Sequence, residues 1–134
     1  MSLDFTPLQK ALSSLDIAIK RSKADPKDKE IRDAVIQRFE YSFELTYKFL
    51  KRVLERESAN PHQIDQMSYK DLLREAAEKG FEINFDSWVI YRDQRNLTSH
   101  TYNEAKAESV YKTALDFFPD AVELSKKLMS RTSD

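Results

Sequence analysis

One glycine in 134 residues narrows the folds open to this chain more than any motif it carries. Two-residue hairpin turns and β-bulges depend on residues that reach positive φ, glycine above all, so a sheet-rich architecture would lack its corners. Glycine-built phosphate cradles are excluded as well: a Walker loop takes two glycines and a lysine, and a dinucleotide fingerprint takes three. A lone glycine suits a helical protein that uses it once, as a helix cap. The chain is therefore read as all-α, an up-and-down bundle of four or five helices forming a single domain over residues 1–134.

Hydrophobic residues make up 40% of the chain, enough for a core without a disulfide or structural metal at a length well above roughly 40 residues. Cysteine is absent, which fits a reducing compartment. No apolar run approaches the roughly 18 residues of a membrane span, and the N-terminus does not read as a signal peptide. These features give the expectation of a cytoplasmic protein with no membrane partner. With 22 basic against 23 acidic side chains, a strong non-specific nucleic-acid binder is disfavoured, because such affinity comes from phosphate neutralisation. A small local basic site is compatible with that balance.

Helical periodicity organises the chain into five helices. Thr6 reads as the N-cap of the first, with Pro7 at its first position and Leu8, Leu12, Leu15 and Ile19 as its buried stripe, to about Arg21. Residues 22–29 read as an exposed connection. The second helix, from about Asp28 to Glu57, carries one stripe through Ile31, Val35, Phe39, Ser42, Thr46, Phe49 and Val53. A second stripe through Ile36, Phe43, Tyr47, Leu50 and Leu54 makes it apolar over more than half its circumference, the mark of a bundle spine. Residues 58–67 read as a loop. Ser68 caps a short helix with Tyr69, Leu72, Leu73, Ala76 and Ala77 inward, ended by Gly80. Asp86 reads as the next cap, opening a helix through Trp88 and Tyr91 to about His100. The last helix starts near Asn103 or Glu104, buries Ala107, Val110, Tyr111, Ala114, Leu115 and Phe118, and should be kinked or interrupted at Pro119.

The densest polar cluster is Tyr91-Arg92-Asp93-Gln94-Arg95-Asn96-Leu97-Thr98-Ser99-His100-Thr101-Tyr102-Asn103. On a helix, Arg92, Asn96 and His100 share one face, with Arg95 and Ser99 on the adjacent one. Arg95 and His100 also fall near a predicted helix C-terminus, where the macrodipole favours cations. Trp88 and Tyr91 read as bundle or dimer packing, and His62 as a solvated loop residue. Glu40, set within the apolar face of the spine, reads as half of a structural ion pair with a cation such as Arg92, since an unpaired buried carboxylate is costly. Glu44 and Lys48 read as an ordinary surface pair. Two scattered histidines and no cysteine supply no zinc ligand set, and no cofactor is expected.

The stretch YRDQRNLTSHTYN resembles the signature of the HEPN superfamily: an arginine, a polar residue that is often asparagine, three more residues, then histidine. Within that superfamily it is most similar to the nucleotidyltransferase substrate-binding proteins and their HepT toxin relatives, which add a tyrosine two positions after the histidine. RFEYSFELTYKFLK resembles the long helix of the same family, and the likeness extends roughly from Leu8 to Leu128. The resemblance implies a HEPN-like helical bundle that forms a homodimer, with the motif lining a cleft near the two-fold axis.

In the toxin relatives the resemblance implies a metal-independent ribonuclease acting on RNA. Its catalytic group would be His100 as general base or acid at a ribose 2′-hydroxyl, Arg95 stabilising phosphate charge, and Asn96 orienting either. Arg92, Ser99 and Tyr91 would support them. Tyr102 matches the tyrosine that a cognate MntA-type nucleotidyltransferase adenylylates, silencing the toxin in a toxin–antitoxin pair. The alternative implied by the same resemblance is a non-catalytic substrate-binding or regulatory subunit of the partner transferase. Whether the chain is an enzyme stays open between these two.

Overall fold

The computed structural model describes residues 3–97 and 103–132. Within them the chain forms six helices and no strand: α1 (Thr6–Ala24), α2 (Lys29–Glu57), α3 (Pro61–Asp65), α4 (Tyr69–Glu78), α5 (Phe85–Leu97) and α6 (Glu104–Thr132). At about 1.5 Å per residue, α2 is a rod of roughly 44 Å. It contacts every other helix, while α6 packs on α1 and α5 and α4 on α5. The spine read from its two apolar stripes is the organising element of the bundle.

Caps set most boundaries. The Asp28 carboxylate accepts from the amides of Glu30 and Ile31 to start α2, and the Ser68 hydroxyl accepts from Asp71 to start α4. These bonds satisfy amides that have no partner within the helix. Gly80 terminates α4 at φ +93°, a left-handed conformation that costs a side-chain-bearing residue about 1–2 kcal/mol. Two expected caps are corrected. Thr6 is already inside α1, with Phe5 at the cap position and Asp4 Oδ1 accepting from the Thr6 amide. Asn84, not Asp86, caps α5: its side chain accepts from the Ser87 amide at 3.0 Å.

The 58–67 stretch is not all loop, because Asn60 caps and Pro61 opens the short α3, which buries Ile64. Nor is the first connection exposed throughout. Ser22 lies inside α1, buried, with its hydroxyl bonded to the Ile19 carbonyl and paired with the Tyr111 hydroxyl. Ala77 faces solvent. Pro119 sits on an exposed side of α6, and the helix runs through it uninterrupted. At such a site water can take the carbonyl that the missing N–H leaves unbonded.

The core includes Leu8, Leu15, Val35, Phe39, Val53, Ala76, Ala114, Phe117, Ala121 and Leu128, all fully buried. Its centre is Phe117, whose ring meets Phe39 edge-on at 5.1 Å, Tyr91 at 5.4 Å, Trp88 at 5.8 Å and Phe43 at 6.2 Å. Phe117, rather than the half-buried Phe118, ties α6 to both α2 and α5. Among the described residues no helix is long and apolar enough to cross a membrane.

Candidate functional site

The motif straddles the end of α5. Tyr91, Arg92, Arg95 and Asn96 lie within the helix; Ser99, His100 and Tyr102 lie outside the described residues. The inner face of α5 is fixed by aromatic packing. Trp88 is buried edge-on to Tyr91 and Phe117. The Tyr91 hydroxyl donates to the Asp120 carboxylate and the Asp116 carbonyl on α6. Burial, reinforced by that bond to Asp120, holds the Tyr91 hydroxyl well above its ordinary pKa. Tyr91 and Trp88 are thus packing residues, and Tyr91 is turned to α6 rather than to the basic cluster.

The adjacent face of α5 carries that cluster. Arg92 lays its guanidinium over the Tyr69 ring, 4.8 Å from the centroid, and lies 3.5 Å from Asp93. Tyr69 in turn packs on Tyr47 and Phe43 and donates to the Trp88 carbonyl at 2.8 Å. Desolvation raises the Tyr69 hydroxyl far above the ordinary tyrosine value, and the nearby Arg92 charge offsets only part of this. Tyr69 is therefore a neutral platform under a cation.

Arg95, one turn further, reaches α2. Its Nε lies 2.6 Å from Glu44 Oε1, and its Nη2 lies 3.8 Å from Glu40 Oε1. The Arg95 side chain is 23% exposed and that of Glu44 52%. The expected partners are reassigned accordingly: Glu40 faces Arg95 rather than Arg92, and Glu44 crosses to Arg95 rather than pairing with Lys48 along its own helix. Asn96 is exposed. The structure sets Arg92 against Tyr69 and Arg95 against Glu40 and Glu44, while the Tyr91 hydroxyl turns to α6.

On the far side of the motif, Asn103 caps α6 by accepting from the Lys106 amide. The first turns of α6 are bound to a residue that sequence reasoning does not single out. Arg32 of α2, only 5% exposed, donates to Glu104 at 2.6 Å, Glu108 at 3.0 Å and Asp33 at 3.0 Å. The one signal for it is its place on the stripe of Val35 and Phe39, where a charged residue must find partners. Glu104 and Glu108 are distant in sequence, so nothing local names them.

Among the described residues no group of three or more His, Cys, Asp or Glu side chains is placed to hold a metal ion. What the described part offers is a cation held at the mouth of the motif segment. It carries directed donors suited to a phosphate or carboxylate, on a wall that is aromatic on one side and acidic on the other.

The chain is similar to known proteins in sequence and fold. A Haemophilus influenzae protein described as a probable ribonuclease HepT is 42% identical over 96 residues, covering 72% of this chain and 66% of that relative. The chain thus spans just under two thirds of that relative's length. A solved Haemophilus influenzae structure, described as revealing the fold of a substrate binding domain of a nucleotidyltransferase, superposes with a TM-score of 0.86. It is 33% identical and covers 93% of this chain and 98% of its own. A Thermus thermophilus structure superposes with a TM-score of 0.73 at 32% identity, over 90% of this chain and 98% of its own. Residues 3–130 match the family described as nucleotidyltransferase substrate binding protein like, and the chain belongs to that family.

Proposed function

We propose that this protein is the HEPN-side subunit of a two-component nucleotidyltransferase module, cytoplasmic and dimeric, acting as a metal-independent ribonuclease. His100 removes the proton from a ribose 2′-hydroxyl, whose oxygen attacks the adjacent phosphorus. A 2′-O–P bond forms, the P–O5′ bond breaks, and the leaving 5′-oxygen takes a proton from the second histidine of the dimer. Arg95 stabilises the charge that gathers on the phosphoryl oxygens, with Asn96 orienting the reacting groups. A partner MntA-type transferase silences the site by adenylylating Tyr102, since an added phosphate competes with RNA for Arg95. The observation that carries this reading is the likeness to the relative named a probable ribonuclease, together with a guanidinium held against α2 five positions before His100 in the sequence.

The second reading is a non-catalytic subunit that presents substrate to the transferase. It is favoured by the family description and by the description of the solved relative, both of which speak of substrate binding. One experiment separates the two. The purified chain is incubated with single-stranded RNA in excess EDTA, alongside His100→Ala and Arg95→Ala. The ribonuclease reading expects cleavage that falls by at least roughly a hundredfold in either variant. No cleavage by the wild type, or equal cleavage by all three, overturns it. A stable complex with the transferase that survives both substitutions then supports the adaptor reading.

A further inference from the structure

We infer that Arg92 is an anion-binding residue of the motif face, taking a phosphate of single-stranded RNA on its Nη donors one helical turn before Arg95. The identity of the ligand rests on the ribonuclease reading. Among the described residues four arginines lie over aromatic rings, and three of them show how such a cation is satisfied. Arg131, 4.4 Å over Phe81, binds Glu57 through Nε at 3.0 Å and Nη2 at 2.6 Å. Arg74, 5.0 Å over Phe85, donates to Asp71 at 2.9 Å. Arg52, 5.7 Å over Phe49, is exposed to water. Arg92, 4.8 Å over Tyr69, differs from all three. Its Nε is buried without a hydrogen-bond partner, and the acid beside it, Asp93, is an ionic neighbour at 3.5 Å rather than a hydrogen-bonded one. Its side chain is 31% exposed against 33% for Arg131, so burial does not account for the difference.

What Glu57 does for Arg131, an anionic ligand can do for Arg92. With Nε enclosed, the surface that Arg92 offers lies away from it, and Nη2 stands beside an Asp93 side chain that is 61% exposed. A guanidinium laid against a ring presents its donors in one plane, a geometry that fits phosphate oxygens. The ring beneath does not cancel the charge, because the Tyr69 hydroxyl is committed to the Trp88 carbonyl at 2.8 Å and stays neutral. Position favours a phosphate of the RNA strand. Arg92 and Arg95 are three residues apart on α5, neighbours on one helix surface. A strand that sets its reacting phosphate on Arg95 carries a further phosphate on either side, and Arg92 is the cation placed to meet one.

Asp93 gives this contact a signature of its own. Its carboxylate is the one acid within ion-pair distance of Arg92 among the described residues, so it competes with an incoming phosphate for the same cation. Removing the Asp93 charge should therefore tighten RNA binding, and the gain should disappear when Arg92 is absent. A purely structural role, with Arg92 covering Tyr69 and nothing more, predicts no such coupling. A phosphate contact also carries no sequence information. Its loss should weaken binding equally for different bases and lower the salt dependence by the share of one released counterion.

The test is fluorescence anisotropy of labelled oligouridine and oligoadenosine on the full chain carrying His100→Ala, so that RNA stays intact. Arg92→Gln, Arg92→Lys, Asp93→Asn and the Arg92→Gln/Asp93→Asn pair are compared in that background. Arg131→Gln, which removes a ring-stacked arginine already bound by Glu57, is the control. Expected for Arg92→Gln is roughly tenfold weaker binding of both oligonucleotides. Its slope of log Kd against log salt should fall by about 0.7. Arg92→Lys should keep the slope with an intermediate affinity, Asp93→Asn should bind tighter only where Arg92 is present, and Arg131→Gln should match its parent. Unchanged affinity and slope in Arg92→Gln, a loss confined to one base, or a gain from Asp93→Asn that survives without Arg92 overturns the contact. Should Arg92→Gln melt below the assay temperature, the slope of Arg92→Lys and the gain in Asp93→Asn decide, and a missing gain overturns it. Cleavage is measured in parallel on the chain with His100 intact. Arg92-dependent binding without cleavage supports the contact and overturns the ribonuclease reading alone; cleavage with binding indifferent to Arg92 overturns the contact alone. No RNA binding with or without His100 overturns both.

Discussion

Replacing Phe117 should loosen the motif helix before it unfolds the bundle. The ring is fully buried and is in contact with Phe39 and Phe43 on α2 and Trp88 and Tyr91 on α5, so it is the aromatic hub between α5, α6 and α2. Phe117→Leu keeps most of the buried apolar volume but forfeits the ring-edge contacts, each worth about 0.5–1.5 kcal/mol and not additive. A loss of about 1–3 kcal/mol is expected. Phe117→Ala adds a cavity and should cost about 3–5 kcal/mol, a large share of the roughly 5–15 kcal/mol that holds a domain of this kind. At about 3–5 °C per kcal/mol for this length, the melting temperature falls by roughly 10–20 °C. Urea denaturation gives the free energies. Hydrogen exchange in Phe117→Leu tests the mechanism, because amides of residues 88–97 should lose protection ahead of those where α1 packs on α2. Uniform loss across the bundle, or a cost below about 2 kcal/mol for the alanine variant, would refute the role given to Phe117.

The two buried tyrosines predict an alkaline limit. Burial raises the hydroxyls of both Tyr69 and Tyr91, so the folded state holds these protons more tightly than the unfolded chain, where the pKa is about 10. Their contribution is intact below pH 10 and lost as pH rises beyond it. Absorbance titration at 295 nm should find two of the six tyrosines silent until the protein unfolds, and Tyr91→Phe should reduce the alkaline loss of stability; six titrating together in the folded state would contradict this. The Arg32 cluster predicts an asymmetry. Arg32 is buried while Glu104 and Glu108 are 44% and 52% exposed, so removing these two acids leaves a desolvated cation short of compensating charge even with Asp33 still bonded, whereas removing the cation leaves carboxylates that water re-solvates. Glu104→Ala/Glu108→Ala should cost about 3 kcal/mol and Arg32→Met only about 1–2 kcal/mol; the reverse order in thermal melts would refute the assignment.

Much of the fold can be read in the sequence because it is governed by local rules. Gly80, Ser68 and Asp28 act where their side chains, or the lack of one, predict, and the two stripes of α2 identify the spine. Asn84 and Asp86 are residue types that cap equally well, and the structure uses Asn84, whose side chain accepts from the Ser87 amide. The signal for Phe117 is present in the sequence. Val110, Ala114, Phe117, Ala121, Leu124 and Leu128 form an unbroken sequence at spacings of three and four, and Phe118 lies one residue off it. The partners of the motif are a different matter. Arg95 with Glu44, and Arg32 with Glu104, join positions far apart in the chain, and no periodicity carries that information.

Those two ion pairs together explain how a helical bundle fixes the two ends of the motif segment. Arg95 precedes residues 98–102 and binds an acid of α2; Glu104 follows them and binds a base of α2. The two anchors, at positions 44 and 32, stand twelve residues apart, roughly 18 Å along one rigid helix. Their polarities are opposite, so sliding the segment along α2 would set Arg95 toward Arg32 or Glu104 toward Glu44, placing like charges in contact. Apolar packing of Trp88 and Phe117 holds α5 and α6 against α2 without strongly distinguishing small shifts in register. The charges supply that distinction. The bundle core therefore sets how tightly the motif is held, and the charges on α2 set where its two ends lie.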